Sequence, residues 1–395
     1  MQRLIDNFTR LLAYTNLSKK RYLFQQINWK HRLIGITGPR GTGKTTLLLQ
    51  HIKEEKLGSA ALYVSLDNIY FSQNTLVDLA NQFYIDGGTH LFLDEVHRYP
   101  NWAIEIKNLY DSYPDLYIVF TGSSILEIYK AQADLSRRSV MYALRGLSFR
   151  EFLYFEDIIT LPPFPLEEIL DKHTELASEI VTKVKILPAF HNYLQYGYYP
   201  FYKEGKDIYY DRLSGIVNTI LENDLPSIVN LQYATILKMK RLLTHVATLV
   251  PYTPNINDLS GLIETDRKSL LSYLQYLDRA ELLLQLYSGK RKLSELTKPS
   301  KLYMENTNLL FALSHNTQSG TLRETFFANQ MVYRHELTIP SEGDFMADNT
   351  CLFEVGGKGK SFKQIRNIPN SYIAYDDMEI GLGNKIPLWI FGLQY

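Results

Sequence analysis

Gly38-Pro39-Arg40-Gly41-Thr42-Gly43-Lys44-Thr45 follows an apolar run at 33–37 and opens into Thr46-Leu47-Leu48-Leu49. An apolar strand, a glycine-rich turn and a helix start, in that order, are the setting that a phosphate-binding loop requires. The glycines let backbone N–H groups wrap phosphates without Cβ clashes, and the helix N-terminus behind them adds its partial positive charge. Residues 38–46 are therefore expected to bind ATP. Lys44 is placed to bridge the β and γ phosphates, and the Thr45 hydroxyl to ligate Mg²⁺.

Working outward, Leu91-Phe92-Leu93-Asp94-Glu95 is a second apolar run, ending in two acids. Asp94 is expected to hold Mg²⁺ through water, and Glu95 to act as general base on the attacking water. A carboxylate at that second position favours hydrolysis over transfer of the phosphoryl group to a small molecule. A third run, Tyr117-Ile118-Val119-Phe120-Thr121-Gly122-Ser123-Ser124, ends in hydroxyls. Ser123 or Ser124 would sense the γ-phosphate or hold the water; the alternative is a helix N-cap at Ser124. Arg137-Arg138 precede the run 140–144, and Arg145 follows it. Arginine at the γ-phosphate stabilises transition-state charge, from the same chain or a neighbouring one, and the alternative is a solvated basic turn.

Short apolar runs at 33–37, 62–66, 91–93, 116–120 and 140–144 alternate with segments of helical length. That alternation predicts an α/β fold, a parallel sheet covered by helices on both faces. Before it, residues 1–30 carry six basic side chains against Asp6 alone, with Phe8, Leu11 and Leu12 at helical spacing. A basic lead-in helix is expected there.

The 395 residues exceed one ordinary core, so two or three domains are expected. Forty-two basic and forty-two acidic residues cancel, so any nucleic-acid or membrane contact must come from local clustering. Cys351, alone, excludes a disulfide framework and a cysteine-based zinc site. No run has the length of a signal-peptide core or a membrane span, which predicts a cytoplasmic chain with no membrane partner. His97, Arg98 and His51 have no second ligand at metal spacing and are taken as structural or surface residues.

Leu161-Pro162-Pro163-Phe164-Pro165 breaks the α/β pattern, and the residues up to about 230 are helical in pattern, as a lid would be. Helices at 236–249, 257–263 and 266–279, then a hairpin from 282–287 to 301–304, have the layout of a winged helix. Residues 231–300 hold ten basic and six acidic side chains. Arg267, Lys268 and Arg279 on its second helix and Lys290-Arg291-Lys292 on the wing are placed to meet double-stranded DNA; a protein contact is the alternative. A last region, from about 320, carries a helix, strands near Asp344 and Cys351, and a closing apolar run at 387–393. The division expected is 1–160 ATPase core, 161–230 lid, 231–315 winged helix and 316–395 tail.

The combination resembles the AAA-superfamily ATPases, of AAA or STAND type, that carry a C-terminal domain of the DUF4143 type. The resemblance rests on residues 38–46, 91–98 and 120–124, on Leu144-Arg145-Gly146-Leu147-Ser148-Phe149-Arg150-Glu151-Phe152-Leu153, and on Tyr196-Gly197-Tyr198-Tyr199-Pro200. It implies an ASCE-type core, a lid, a winged helix and a nuclease-like tail; an ATP-driven switch on DNA, a protein partner or a second copy is the function expected. In the tail, Asp344 and Glu354-Val355-Gly356-Gly357-Lys358, with Glu324 on the preceding helix, are similar to the PD-(D/E)XK nuclease pattern. The lysine belongs two residues after the glutamate, where Gly356 stands, so an inactive fold is expected. An ATP-gated, metal-dependent nuclease and a switch that binds ATP without turnover are the alternatives.

Overall fold

The computed structural model describes residues 1–122, 135, 137–229, 231–289, 297–314, 318–357 and 365–395. Ser123, Ser124, Lys290-Arg291-Lys292 and Lys358 lie outside the described residues. The chain divides into two compact units: Met1–Gly146 with Asn223–Asn230, and Leu147–Glu222 with Leu231–Tyr395. The first thus ends at Gly146, ahead of the proline-rich break, and takes back a short piece of chain from far downstream.

The first unit opens with α1, Gln2–Tyr14, which buries Leu4 and Phe8, four residues apart and so on one face. Then follow β1 (Leu33–Thr37), α2 (Lys44–Glu54), β2 (Ala61–Ser65), α3 (Leu76–Ile85), β3 (His90–Asp94), α4 (Trp102–Ser112), β4 (Tyr117–Gly122) and β5 (Val140–Ala143). The strands lie in the order β2-β3-β4-β1-β5, and every pairing is parallel. Strand β4 therefore separates the strand before the phosphate loop from the strand that ends in Asp94, which is the ASCE arrangement. Ile34, Leu62, Leu91, Phe92 and Ile118 are buried along the strands, the continuous apolar runs that a two-sided sheet demands. Parallel strands carry all their carboxyl ends to one edge, and Thr37, Asp94 and Gly122 end there together.

The second unit begins with α5, Phe149–Phe155, and the Leu-Ser-Phe-Arg-Glu-Phe-Leu stretch finds its reason here. Ser148 and Glu151 form a reciprocal capping box at its start. Phe149 and Phe152 pack edge-on against Phe190 and Tyr193 respectively, and Arg150 Nε donates to the carbonyl of Tyr395 at 2.8 Å. Helices α6 (Leu166–Val181), α7 (Ile186–Tyr196) and α8 (Tyr209–Thr219) follow. The chain then turns through Ile220–Asp224 and Leu225–Ile228 before α9 (Tyr233–Leu249), α10 (Ile256–Ile263) and α11 (Arg267–Arg279). Strands β6 (Leu283–Leu286) and β7 (Lys301–Met304) form an antiparallel pair.

After α12 (Thr307–Leu313) and α13 (Ser319–Met331), strands β8 (Leu337–Thr338), β9 (Phe345–Ala347), β10 (Cys351–Gly356), β11 (Ser371–Tyr375) and β12 (Lys385–Pro387) make one mixed sheet in the order β12-β11-β10-β9-β8. The closing apolar run is a fully buried 3₁₀ segment, Leu388–Leu393. Much of the tyrosine of the chain is spent in this unit's interior. Tyr193, Tyr198, Tyr209, Tyr303 and Tyr395 are all buried, and the buried Asn308 carboxamide accepts from Tyr198 N and the Tyr209 hydroxyl while donating to Leu194 O. Most buried polar side-chain atoms have such partners. Among the described residues no helix is long and apolar enough to cross a membrane.

Candidate nucleotide site

At the carboxyl edge of the first unit's sheet the phosphate loop closes on itself. Gly38 has φ +150°, and a Cβ there would lie 2.0 Å from the carbonyl oxygen of Leu144, so the close approach of loop to β5 admits only glycine. Gly43, at φ 93°, is the left-handed residue that launches α2. The Thr42 hydroxyl donates to Pro39 O at 2.9 Å. Lys44, buried at 5% exposure, donates its ammonium to the carbonyls of Gly38 and Pro39, each at 2.8 Å. The loop carbonyls thus hold the ammonium inside the ring of backbone that would cradle phosphates.

Arg21, read from the sequence as one charge of a basic lead-in, is buried under this loop. Its guanidinium donates to the carbonyls of Thr42, Arg145 and Gly146, the last two at 2.7 and 3.0 Å. It ties the phosphate loop to the segment after β5. Nothing in the spacing of residues 1–30 signals this, because the partners are backbone carbonyls, two of them more than a hundred residues away.

Asp94 is buried at 2% exposure and its carboxylate is saturated. Oδ2 accepts from the Thr45 hydroxyl at 2.5 Å and from the Tyr63 hydroxyl at 2.7 Å; Oδ1 accepts from the Thr121 hydroxyl and from Glu95 N at 3.1 Å. The structure therefore brings together Thr45 and Asp94 as expected, and adds Tyr63 and Thr121. Thr121 is the hydroxyl on β4 that reaches Asp94. Burial pushes the Tyr63 phenol far up, and the charge of Asp94 and its hydrogen bond add to this, so it remains a donor. Thr45 and Asp94 supply only oxygen donors, the hard-ligand set that suits Mg²⁺.

Glu95 has left-handed backbone, φ 52°, at the strand end. Its Oε2 takes a 2.9 Å hydrogen bond from the Arg40 guanidinium and lies 3.6 Å from His97 Nε2. Arg40 is in turn forked by Asp224, Nε to Oδ2 at 2.6 Å and the terminal nitrogen to Oδ1 at 3.1 Å. Arg98 reaches the same Oδ1 at 2.8 Å, and His97 Nε2 lies 3.8 Å from it. His97 and Arg98, expected to be structural or surface residues, thus stand against Asp224, with His97 also beside Glu95. Burial raises the Asp224 carboxyl, but the nearby His97 and the hydrogen bonds and charge of Arg40 outweigh it and hold it at about 2. Burial lowers the Arg40 pKa, yet the bond to Asp224 and the charges of Glu95 and Asp224 leave it raised.

Arg137 and Arg138 do not join this edge. They precede β5, whose Val140 pairs with Ile34 and whose Ala143 pairs with Thr37, so they stand at the amino edge of a parallel sheet. There Arg138 forks Asp111, at 2.9 and 3.1 Å, at the end of α4. A strand of four residues separates them from the phosphate loop, which rules out a γ-phosphate contact within one chain.

In the second unit the tail carboxylates meet a lysine that the sequence pattern did not single out. Lys301 Nζ, on β7, lies 3.4 Å from Glu324 Oε2 and 3.9 Å from Asp344 Oδ1, and the Tyr303 hydroxyl donates to Glu324 at 2.9 Å. Asp344 Oδ2 accepts from Val355 N at 2.8 Å, beside the buried Glu354 on β10. Burial raises the Glu324 carboxyl; Lys301 opposes that and Asp344 adds to it. Glu324 and Asp344 thus share one ammonium.

Residues 30–153 match the family model described as an AAA domain. Residues 187–320 match a domain of unknown function, DUF8612, where the sequence resemblance implied a DUF4143-type domain. Two uncharacterized proteins of Methanocaldococcus jannaschii are similar. MJ1637 is 27% identical over 328 residues, 77% of this chain and 69% of that protein; MJ1544 is 22% identical over 305 residues, 73% and 64%. Among solved structures, AMPPCP-bound DnaA from Aquifex aeolicus is 15% identical with a TM-score of 0.27, covering 68% of this chain and 87% of that one. A DNA replication initiation factor is 14% identical at 0.29, covering 79% and 85%. Likeness at those scores carries no statement about function. The AAA-domain match and the strand order agree on a P-loop nucleotide-binding fold for the first unit.

Proposed function

We propose that this chain hydrolyses ATP and uses the cycle as a switch. The observation that carries the reading is the 2.5 Å contact of the Thr45 hydroxyl with Asp94, which joins the phosphate loop to the end of β3 with Glu95 as the next residue. Lys44 would exchange the loop carbonyls for the β and γ phosphates, and Glu95 would orient the attacking water and take its proton. Thr45 and Asp94 would hold Mg²⁺, whose charge would offset that of the phosphate oxygens.

The second unit supplies the output. Arg267 and Lys268 are exposed at the start of α11, after α9 and α10 and before the β6–β7 hairpin, an order that suits a winged helix presenting cations to the phosphates of double-stranded DNA. We take the tail as an inactive nuclease-like fold, since Gly356 stands where the lysine of that pattern belongs. Binding within a cytoplasmic homo-oligomer or to a protein partner would use the same switch.

Steady-state ATP hydrolysis of the wild type, Lys44→Ala and Glu95→Gln, each with and without double-stranded DNA, tests the reading. Lys44→Ala should lose nucleotide binding, and Glu95→Gln should keep it and turn over about a hundredfold slower or worse. Wild-type rates that both variants retain would refute the ATPase reading. A wild-type rate indifferent to DNA would redirect the output to a protein.

A further inference from the structure

Asp224 is far from the phosphate loop in sequence, and no motif points to it. Its segment, Asn223–Asn230, belongs to the first unit although the chain on either side of it builds the second. The carboxylate is almost wholly buried, at 3% side-chain exposure, and is bonded by Arg40 from the phosphate loop and by Arg98 from the turn after Glu95. Leu225, the next residue, is buried as well and anchors the segment.

Arg40 stands between Pro39 and Gly41 within the loop itself, and its guanidinium reaches Glu95, the carboxylate proposed to act beside the terminal phosphate. One edge is committed to Asp224, and the terminal nitrogen also holds Oε2 of Glu95. A carboxylate oxygen that accepts from an arginine is a weaker base towards a water. A γ-phosphate brings nearly two negative charges and three acceptor oxygens, whereas ADP brings none at that place. Arginine pairs with either anion in the same forked geometry.

We propose that Asp224 is the γ-phosphate sensor of the site: it holds Arg40 against Glu95 when no γ-phosphate is bound and surrenders Arg40 to the γ-phosphate when ATP binds. The exchange lifts the guanidinium from Glu95 and loosens segment 223–230. That segment runs directly into Leu231, so nucleotide state passes along the backbone into the second unit. The inference rests on the ATPase reading and adds to it the residue that opposes ATP.

The test compares affinity for a non-hydrolysable ATP analogue with that for ADP, both with Mg²⁺, in the full chain. With its competitor neutralised, Asp224→Asn should bind the ATP analogue about tenfold tighter than wild type, within the usual size of such couplings, and ADP unchanged. In an Arg40→Gln background Asp224→Asn should change neither. An equal shift for both nucleotides, or none, overturns the sensor while leaving Lys44-dependent hydrolysis intact. Wild type that binds neither nucleotide overturns the ATPase reading and the sensor with it. Should Asp224→Asn fail to fold, hydrogen exchange on the wild type decides: amides of 223–229 should exchange faster with the ATP analogue than with ADP, and equal exchange overturns the proposal.

Discussion

The Tyr63 hydroxyl, on β2, donates to Asp94 Oδ2 at 2.7 Å, sharing with the Thr45 hydroxyl the oxygen that faces the phosphate loop. A strand next to β3 therefore fixes the rotamer of the carboxylate that would carry Mg²⁺, and outer-shell donors of this kind set how well a metal site is formed. Tyr63→Phe keeps the ring and removes one donor to a buried charge, which should cost about 1.5–3 kcal/mol of stability to urea. It should also raise the Mg²⁺ concentration needed for half-maximal hydrolysis. An unchanged Mg²⁺ dependence would confine Tyr63 to a structural role.

Arg21 is expected to matter to nucleotide affinity more than to turnover. Its three acceptors include Thr42 O in the phosphate loop and Gly146 O after β5, and a shorter apolar side chain would leave those buried carbonyls unpaired. Arg21→Met should therefore raise KM for ATP at least severalfold, with kcat nearer to wild type, and lower stability by about 3 kcal/mol. Loss of kcat at unchanged KM would contradict a role in holding the loop.

How far the sequence led is visible in these residues. The five strands, the loop and the Asp94-Glu95 pair were legible because each is set by neighbours in sequence: apolar runs, glycines needed for close approach, a helix start. Asp224 and Arg21 were not, since each acts on a partner that the fold delivers from more than a hundred residues away. Thr121 was overlooked in favour of the hydroxyls just beyond it, because strand periodicity does not say which hydroxyl faces Asp94. His97 and Arg98 have no metal-ligand partner at sequence spacing, a criterion blind to an anionic one. Arg137 and Arg138 show the converse. Proximity in sequence to a strand of the site says nothing until the strand's direction is known, and parallel β5 places them at its amino end.

That placement yields its own prediction. Arg138 forks Asp111 in a half-exposed pair, the kind worth about 0–1 kcal/mol. Arg138→Ala should leave ATP hydrolysis by the isolated monomer within about twofold of wild type, since uncoupled surface substitutions have small effects. Rates measured across a range of protein concentration would separate the two possibilities for this arginine. A loss that appears only where the chain self-associates would assign it to a neighbouring copy's site, and a loss in the dilute monomer would contradict the geometry.

His51 gives the first unit a pH dependence of definite sign. It is buried on α2, its ring stacked on Trp29 at 3.7 Å with Phe24 and Phe92 nearby. Burial lowers its pKa, the charge of His90 lowers it further and Glu54 raises it, leaving it at about 4 against an ordinary 6.5. The unfolded chain then takes up a proton at this position that the folded chain refuses. The contribution of His51 to stability is complete above pH 6.5, declines as pH falls towards 4 and is constant below that. Urea unfolding followed at Trp29 should give a midpoint that drops between pH 7 and pH 4.5, and His51→Gln should reduce the drop, although it loses the stacked ring. An equal drop in that variant would place the titration on other groups, of which His90, also lowered by burial, is the nearest.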